Sequence, residues 1–204
     1  MIAIVNYGSG NIRAIANIYE RLTLPHKIVS QPGELIGSEK IILPGVGAFD
    51  ETISLLSHSG FRTVLDNEVL INKTPVLGIC VGMQILGEQS EEGSLPGLGW
   101  IKGTVRKIDT NRIQSKPKIP HLGWNSIKAL KANGMFNDVD EEQGFYFMHS
   151  FYFECNDEND VMSSTFYGTD FASAVNHQNI YGVQFHPEKS HENGITLLKN
   201  FAAI

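Results

Sequence analysis

Short apolar runs alternate with amphipathic stretches through the first half of the chain. Ile2 to Val5 is apolar at every position, as expected of a strand covered on both faces, and the run gives way at Gly8-Ser9-Gly10, a turn. From Asn11 onward Ile12, Ile15, Ala16, Tyr19 and Leu22 recur at helical spacing until Pro25 closes the pattern. His26 to Val29, Lys40 to Leu43 and Pro75 to Ile79 are further apolar runs bounded by Pro, Gly or Ser, and helical patterns fill 48–70 and 81–88. This alternation predicts a parallel sheet covered by helices.

The second half changes character. Thr104 to Ile108, Trp124 to Ile127, Phe145 to His149, Tyr152 to Cys155, Val161 to Thr165, Phe171 to Val175 and Ile180 to Phe185 are short β-like runs. Turn signals separate them closely enough to predict antiparallel hairpins, and Ile195, Leu198, Phe201 and Ala202 mark a last helix. With no Pro/Ser-rich linker and no internal repeat, residues 1–204 are expected to form a single α/β domain.

Composition narrows the function. The chain has 204 residues, 42% of them hydrophobic, with 16 basic against 22 acidic side chains for a net charge of -6, a balance that argues against nucleic acid as a partner. No stretch approaches the length of a membrane span, and the apolar N-terminal run is too short for a signal segment, so a cytoplasmic protein is expected. The 2 cysteines, Cys80 and Cys155, form neither a disulfide framework nor a zinc pattern. His121, His149 and His177 are too scattered along the chain to suggest a metal, and Cys155 reads as packing. The acidic clusters Asp138 to Glu142 and Asp157 to Asp160 read as solvated loops. Gly8-Ser-Gly10 lacks the third glycine of a dinucleotide fingerprint, since Arg13 stands in its place, and no cofactor is expected.

Three segments carry chemistry. Pro75-Val-Leu-Gly-Ile-Cys80-Val-Gly-Met-Gln84 sets a cysteine between a strand run and a helical run, with Gly78 and Gly82 two positions either side: a nucleophile elbow with sulfur in place of oxygen. A side chain at either glycine would crowd the sharp turn, and a sulfur at the helix N-terminus gains from the dipole and nearby N–H groups. In Gln184-Phe-His186-Pro-Glu188-Lys-Ser190, a strand end delivers His186 as base, and Pro187 spaces Glu188 to hold its tautomer. Pro44-Gly45-Val46-Gly47 follows a strand run and can turn N–H groups toward the sulfur, with the Val81 N–H as second oxyanion donor. Taken singly, each segment also has a bland reading: a buried structural cysteine, a surface histidine, an ordinary turn.

Together and in this order the three segments resemble the class I, triad-type glutamine amidotransferases, over nearly the whole chain. Within them the resemblance is closest to the glutaminase subunits of imidazole glycerol phosphate synthases, through Asn6-Tyr-Gly-Ser-Gly-Asn11, Pro44-Gly-Val-Gly-Ala-Phe49, Pro120-His-Leu-Gly-Trp-Asn125, Phe145-Tyr-Phe-Met-His-Ser150 and Gln184-Phe-His-Pro-Glu-Lys-Ser190. The resemblance implies a flavodoxin-like fold, a mostly parallel central sheet flanked by helices with an added antiparallel β portion in the second half. It implies hydrolysis of glutamine and transfer of the ammonia to a separate (β/α)8-barrel cyclase in histidine biosynthesis. By the same resemblance Cys80, His186 and Glu188 form the triad, and Val46, Gly47 and Val81 the oxyanion hole. Gly45, Gln84, Glu92, Ser150 and Phe151 would bind glutamine, while Asn11, Trp124, Tyr146 and Lys189 would meet the barrel and pass ammonia. Phe151 departs from the family pattern, which has Tyr after His-Ser. By periodicity alone Trp124 and Tyr146 read as core aromatics. Two alternatives stay open: a paralogue supplying ammonia for amidino-sugars of bacterial surface polysaccharide, and a non-catalytic interaction module on the same fold.

Overall fold

The computed structural model describes residues 1–114, 116 and 118–204. Its first half builds β1 (Ile2–Val5), α1 (Ile12–Arg21), β2 (His26–Val29), β3 (Lys40–Gly45), α2 (Phe49–His58), α3 (Phe61–Asp66), β4 (Val76–Cys80) and α4 (Val81–Gln84). The second half adds β5 (Gln89–Ser90), β6 (Gly103–Lys107), β7 (His121–Asn125), β8 (Lys128–Ala129), β9 (Phe145–His149), β10 (Phe151–Cys155), β11 (Val161–Phe166), β12 (Asp170–His177), β13 (Ile180–Val183) and α5 (His191–Ala203). β1 and β4 are buried at every position, as their unbroken apolar runs require of strands with helices on both faces.

The main sheet runs β2-β1-β3-β4-β13-β12-β10-β6-β5, with β11 and β8 branching from β12. Its first five strands are parallel. β12 and β13 form a hairpin, and β13 returns parallel to β4 with Gly182 opposite Gly78 and Val183 opposite Ile79. That register brings the carboxyl ends of β3, β4 and β13 side by side, the edge at which open α/β sheets hold ligands. The mostly parallel sheet with an antiparallel second half is the architecture expected from the sequence.

Three local expectations are corrected. The helical pattern over 48–70 is broken at Gly60, whose φ of 78° suits glycine, into α2 and α3, and a π-helical turn, Asn67–Ile71, follows. The pattern over 81–88 stops at Gln84, because the next backbone groups bond elsewhere: the Ile85 carbonyl accepts from Leu98 and the Glu88 carbonyl from Gly97. β9 does not pair with β10. It pairs with β7 in a separate antiparallel two-stranded sheet, while β10 enters the main sheet between β12 and β6. β9 sends Phe145, Phe147 and His149 inward, where Phe145 stacks on Phe185 at 3.9 Å between ring centroids.

Candidate active site

Cys80 ends β4 and caps α4 with φ 56° and ψ −115°, a strained backbone for a residue with a side chain. The surroundings explain why the turn can be so tight. A Cβ on Gly82 would lie 2.0 Å from the Leu43 carbonyl oxygen, one on Gly78 2.5 Å from the Gly82 oxygen, and one on Gly45 2.4 Å from the Gly82 nitrogen. Only glycines let β3 and β4 approach α4 this closely. Gly45 thus serves packing at the elbow and lies opposite Cys80 in the β3–β4 register.

His186 continues the extended chain beyond β13, and its Nδ1–H donates to Glu188 Oε1 at 2.8 Å. Both side chains are 1% exposed, the pair sitting in the 3-10 turn Pro187–Lys189. His186 Nε2 is buried with no partner at hydrogen-bond length. The group it addresses is the Cys80 sulfur: burial pushes the imidazole pKa down, yet the neighbouring Cys80 and Glu188 outweigh burial and raise it to about 10. The ring therefore favours holding a proton between a sulfur and a carboxylate, the arrangement of an activated thiol, its base and the orienting acid.

A cavity of about 200 Å³ opens over the sulfur. Val46, Gly47, Val81, Gln84, Glu92, Ser150, Phe151 and His186 line it. Pro120, Met148 and His149 complete the wall. Gln84 spends its amide hydrogens on the Phe151 carbonyl and on Gln184 Oε1, each at 3.0 Å, so its own oxygen remains for a ligand. Glu92 accepts from the Phe49 N–H at 2.9 Å, at the start of α2. Asp50, one residue on, accepts from the Ser94 and Leu95 N–H groups and so ties down the loop that carries Glu92; those backbone bonds hold its carboxyl below the usual range. The 44–47 segment is also held: Tyr7 donates to the Pro44 carbonyl, and the Ser9 hydroxyl accepts from the Val46 N–H and donates to the Val46 carbonyl, both at 2.9 Å. In this state the Val46 N–H is turned to Ser9 rather than offered to the cavity.

The glutamine amidotransferase class-I family matches residues 3–204. The chain belongs to that family. It is 50% identical, over the full length of both chains, to the imidazole glycerol phosphate synthase subunit HisH of Leptospira borgpetersenii and to that of Bdellovibrio bacteriovorus. It is also 41% identical over 206 residues to the imidazole glycerol phosphate synthase subunit HisH 2 of Pseudomonas aeruginosa, each chain covered in full. Among solved structures, that of PurLQS from Thermotoga maritima superposes with a TM-score of 0.74 at 18% identity, covering 99% of this chain and 97% of that one, which shows the shared fold.

Trp124 is 41% exposed and lies flat on His191, its centroid 5.4 Å away, so the core placement suggested by periodicity is corrected. Tyr146 is half-buried and carries the Lys189 ammonium 5.8 Å above its ring. Its carbonyl accepts from the His186 N–H, tying this aromatic cluster to the His186–Glu188 pair. Asn11 is exposed at the start of α1, which packs against the 187–189 turn. His121 and His149, far apart in sequence, meet across β7 and β9 at 2.9 Å, so they are not scattered in space. Among the described residues no group of three or more His, Cys, Asp and Glu is placed to hold a metal. Asp160 is another correction: it is buried and accepts from His177 Nδ1 at 2.9 Å, not a solvated loop acid. Cys155 is half-buried against the core, and burial pushes its thiol up to about 12, which leaves it inert.

Sequence reasoning missed Gln184, Ser9, Asp50 and Tyr7 as parts of this site. Gln184, Ser9 and Tyr7 lie inside the segments that carry the family resemblance, but a buried amide or hydroxyl gives no period or spacing that marks its target.

Proposed function

We propose that this chain is a glutaminase of the imidazole glycerol phosphate synthase type, hydrolysing glutamine and handing ammonia to a (β/α)8-barrel cyclase that makes imidazole glycerol phosphate. The reading rests on one arrangement above all: a cysteine on a glycine-flanked elbow, with a buried His186–Glu188 pair beside it, under a cavity of metabolite size. Cys80 Sγ attacks the side-chain amide carbon of glutamine, and His186 gives its proton to the departing nitrogen, so ammonia leaves and a thioester forms. Water, deprotonated by His186, then attacks the thioester and releases glutamate and the thiolate. Gln84 Oε1 and the Glu92 carboxylate supply acceptors for the substrate's ammonium, and the Ser150–Phe151 backbone receives its carboxylate. The Val81 N–H at the start of α4 and N–H groups of Val46 and Gly47 stabilise the oxyanion, once Val46 leaves Ser9.

The histidine pathway is favoured by relatives of that name at 50% identity along the whole chain. Val46, Leu122, Trp124 and Met148, all large apolar side chains exposed near the cavity mouth, form with Tyr146, Lys189 and Asn11 the face on which the barrel docks. We read residues 1–204 as one domain acting in the cytoplasm without a cofactor. The test is Cys80→Ala assayed with the barrel cyclase. Glutamine-dependent turnover should vanish while turnover on added ammonium salt persists; glutamine hydrolysis surviving in this variant would refute the assignment.

A further inference from the structure

The mechanism above leaves one buried polar side chain beside the sulfur without a role. Gln184 is 0% exposed and lies two residues before His186 on the extended segment that leaves β13. Positions two apart on an extended chain face the same way, so the segment that delivers the imidazole also delivers this amide. Gln184 Nε2 donates to Cys80 Sγ at 3.8 Å.

The direction of that bond is fixed from a distance. The Phe151 carbonyl can only accept, and it receives His149 Nδ1–H at 2.8 Å and Gln84 Nε2 at 3.0 Å. Gln84's remaining amide hydrogen goes to Gln184 Oε1, also at 3.0 Å. A flipped Gln184 would set NH2 against NH2, so its nitrogen must point at the sulfur. On the other side of Phe151, His149 Nε2 accepts from His121 Nδ1–H at 2.9 Å, and His121 Nε2 accepts from Asn125 Nδ2 at 3.1 Å. Burial keeps both rings neutral, lowering His149 to about 3 and His121 to about 4, as this tautomer pattern requires. Two donor series, Asn125–His121–His149 from β7 and Gln84 from α4, thus converge on the Phe151 carbonyl, and Gln84 also donates through its second hydrogen to Gln184, whose nitrogen faces the nucleophile.

We propose that Gln184 is a catalytic residue: its side-chain amide donates a hydrogen bond to the Cys80 sulfur and stabilises the thiolate, both before attack and when the thioester is cleaved. Gln84, oriented by the Phe151 carbonyl, is the positioning residue that holds that amide with its nitrogen toward sulfur. The proposal rests on the reading of Cys80 as nucleophile. A hydrogen bond to a charged sulfur is worth about a tenfold change in reactivity or more.

The measurement is the rate of iodoacetamide labelling at Cys80, followed by peptide mass spectrometry at neutral pH, for wild type, Gln184→Leu and Gln184→Met. Both variants approximate the volume of glutamine and lack the donor. Labelling should slow about tenfold at an unchanged thermal midpoint, and with the barrel present kcat for glutamine should fall more than KM rises. A folded variant labelled within twofold of wild type overturns the proposal. Should neither variant fold, the wild-type chain decides: the Gln184 side-chain amide resonance in an 15N spectrum should move when Cys80 is alkylated, and an unmoved resonance overturns the proposal. Labelling is read without glutamine, so failure of the glutaminase reading, tested by hydrolysis in the wild-type complex, is separately visible.

Discussion

His186 shows how one residue's surroundings set its chemistry. Burial alone would favour the neutral ring, but the Cys80 sulfur and the Glu188 carboxylate reverse the balance and lift its pKa from 6.5 to about 10. A pKa raised on folding means that the folded state binds the proton more tightly than the unfolded chain. The resulting stabilisation is fully present below about pH 6.5 and is lost as pH rises through about 10. The difference in unfolding free energy between wild type and His186→Gln should therefore shrink over that window, measured by urea denaturation at a series of pH values. A difference independent of pH would show that the ring carries no such proton. Cys80 adds a second residue-scale cost: its positive φ is tolerated because the turn that demands it also lifts the sulfur into the cavity.

Among the elements, the elbow between β4 and α4 is supported from an unexpected direction. The loop holding Glu92 is pinned to the first turn of α2 by two anchors, the Phe49 N–H on Glu92 and the Asp50 carboxylate on Ser94 and Leu95. Asp50 also explains Gly93, where a Cβ would lie 2.0 Å from Asp50 Oδ1. Asp50→Ala should free the loop and raise KM for glutamine severalfold, with kcat little changed, because Glu92 is proposed to bind the substrate head group and not the reacting amide. Steady-state kinetics with the barrel partner check this, and an unaltered KM would separate the loop from binding. β7 is the other element whose placement matters. Its inward side chains, His121 and Asn125, enter the buried hydrogen-bond chain, and its outward ones, Leu122 and Trp124, are exposed. Trp124→Ala should weaken association with the barrel by about 2 kcal/mol, the range of an aromatic interface anchor, as measured by titration calorimetry.

On the scale of the whole molecule, two loops from different strands meet at the cavity. Ser9, after β1, holds both the N–H and the carbonyl of Val46, after β3. An amidotransferase without its acceptor gains nothing by hydrolysing glutamine, and a Val46 peptide turned away from the cavity lacks one oxyanion donor. Partner docking against exposed Val46 can shift the loop toward the competent form. The isolated chain should thus be nearly silent. Ser9→Ala, which removes both bonds, should raise its basal glutaminase rate up to about tenfold and lower folding stability by about 1 kcal/mol. Glutamate release measured without partner checks this; an unchanged basal rate would place the control elsewhere.

The elbow was legible in the residues themselves. Apolar runs mark buried strands, and a cysteine between two glycines at a strand-to-helix junction reports a turn that only small neighbours permit; both are local steric requirements written in adjacent positions. Cys80 and the His186–Glu188 pair could be named for the same reason. That β13 lies beside β4, so that His186 meets Cys80, follows from long-range strand pairing that no local pattern encodes. The same holds for β9, which leaves β10 for β7 and so brings His149 onto His121. Trp124 has the apolar character of a core residue, and only the packing of β7 against β9 turns it outward. Helix 81–88 stopped early because tertiary hydrogen bonds from residues 97 and 98 claimed the carbonyls that follow Gln84. The polarity of the Gln184 amide depends on Gln84 and on the Phe151 carbonyl, which come from different elements, and only their assembly decides which end faces the sulfur.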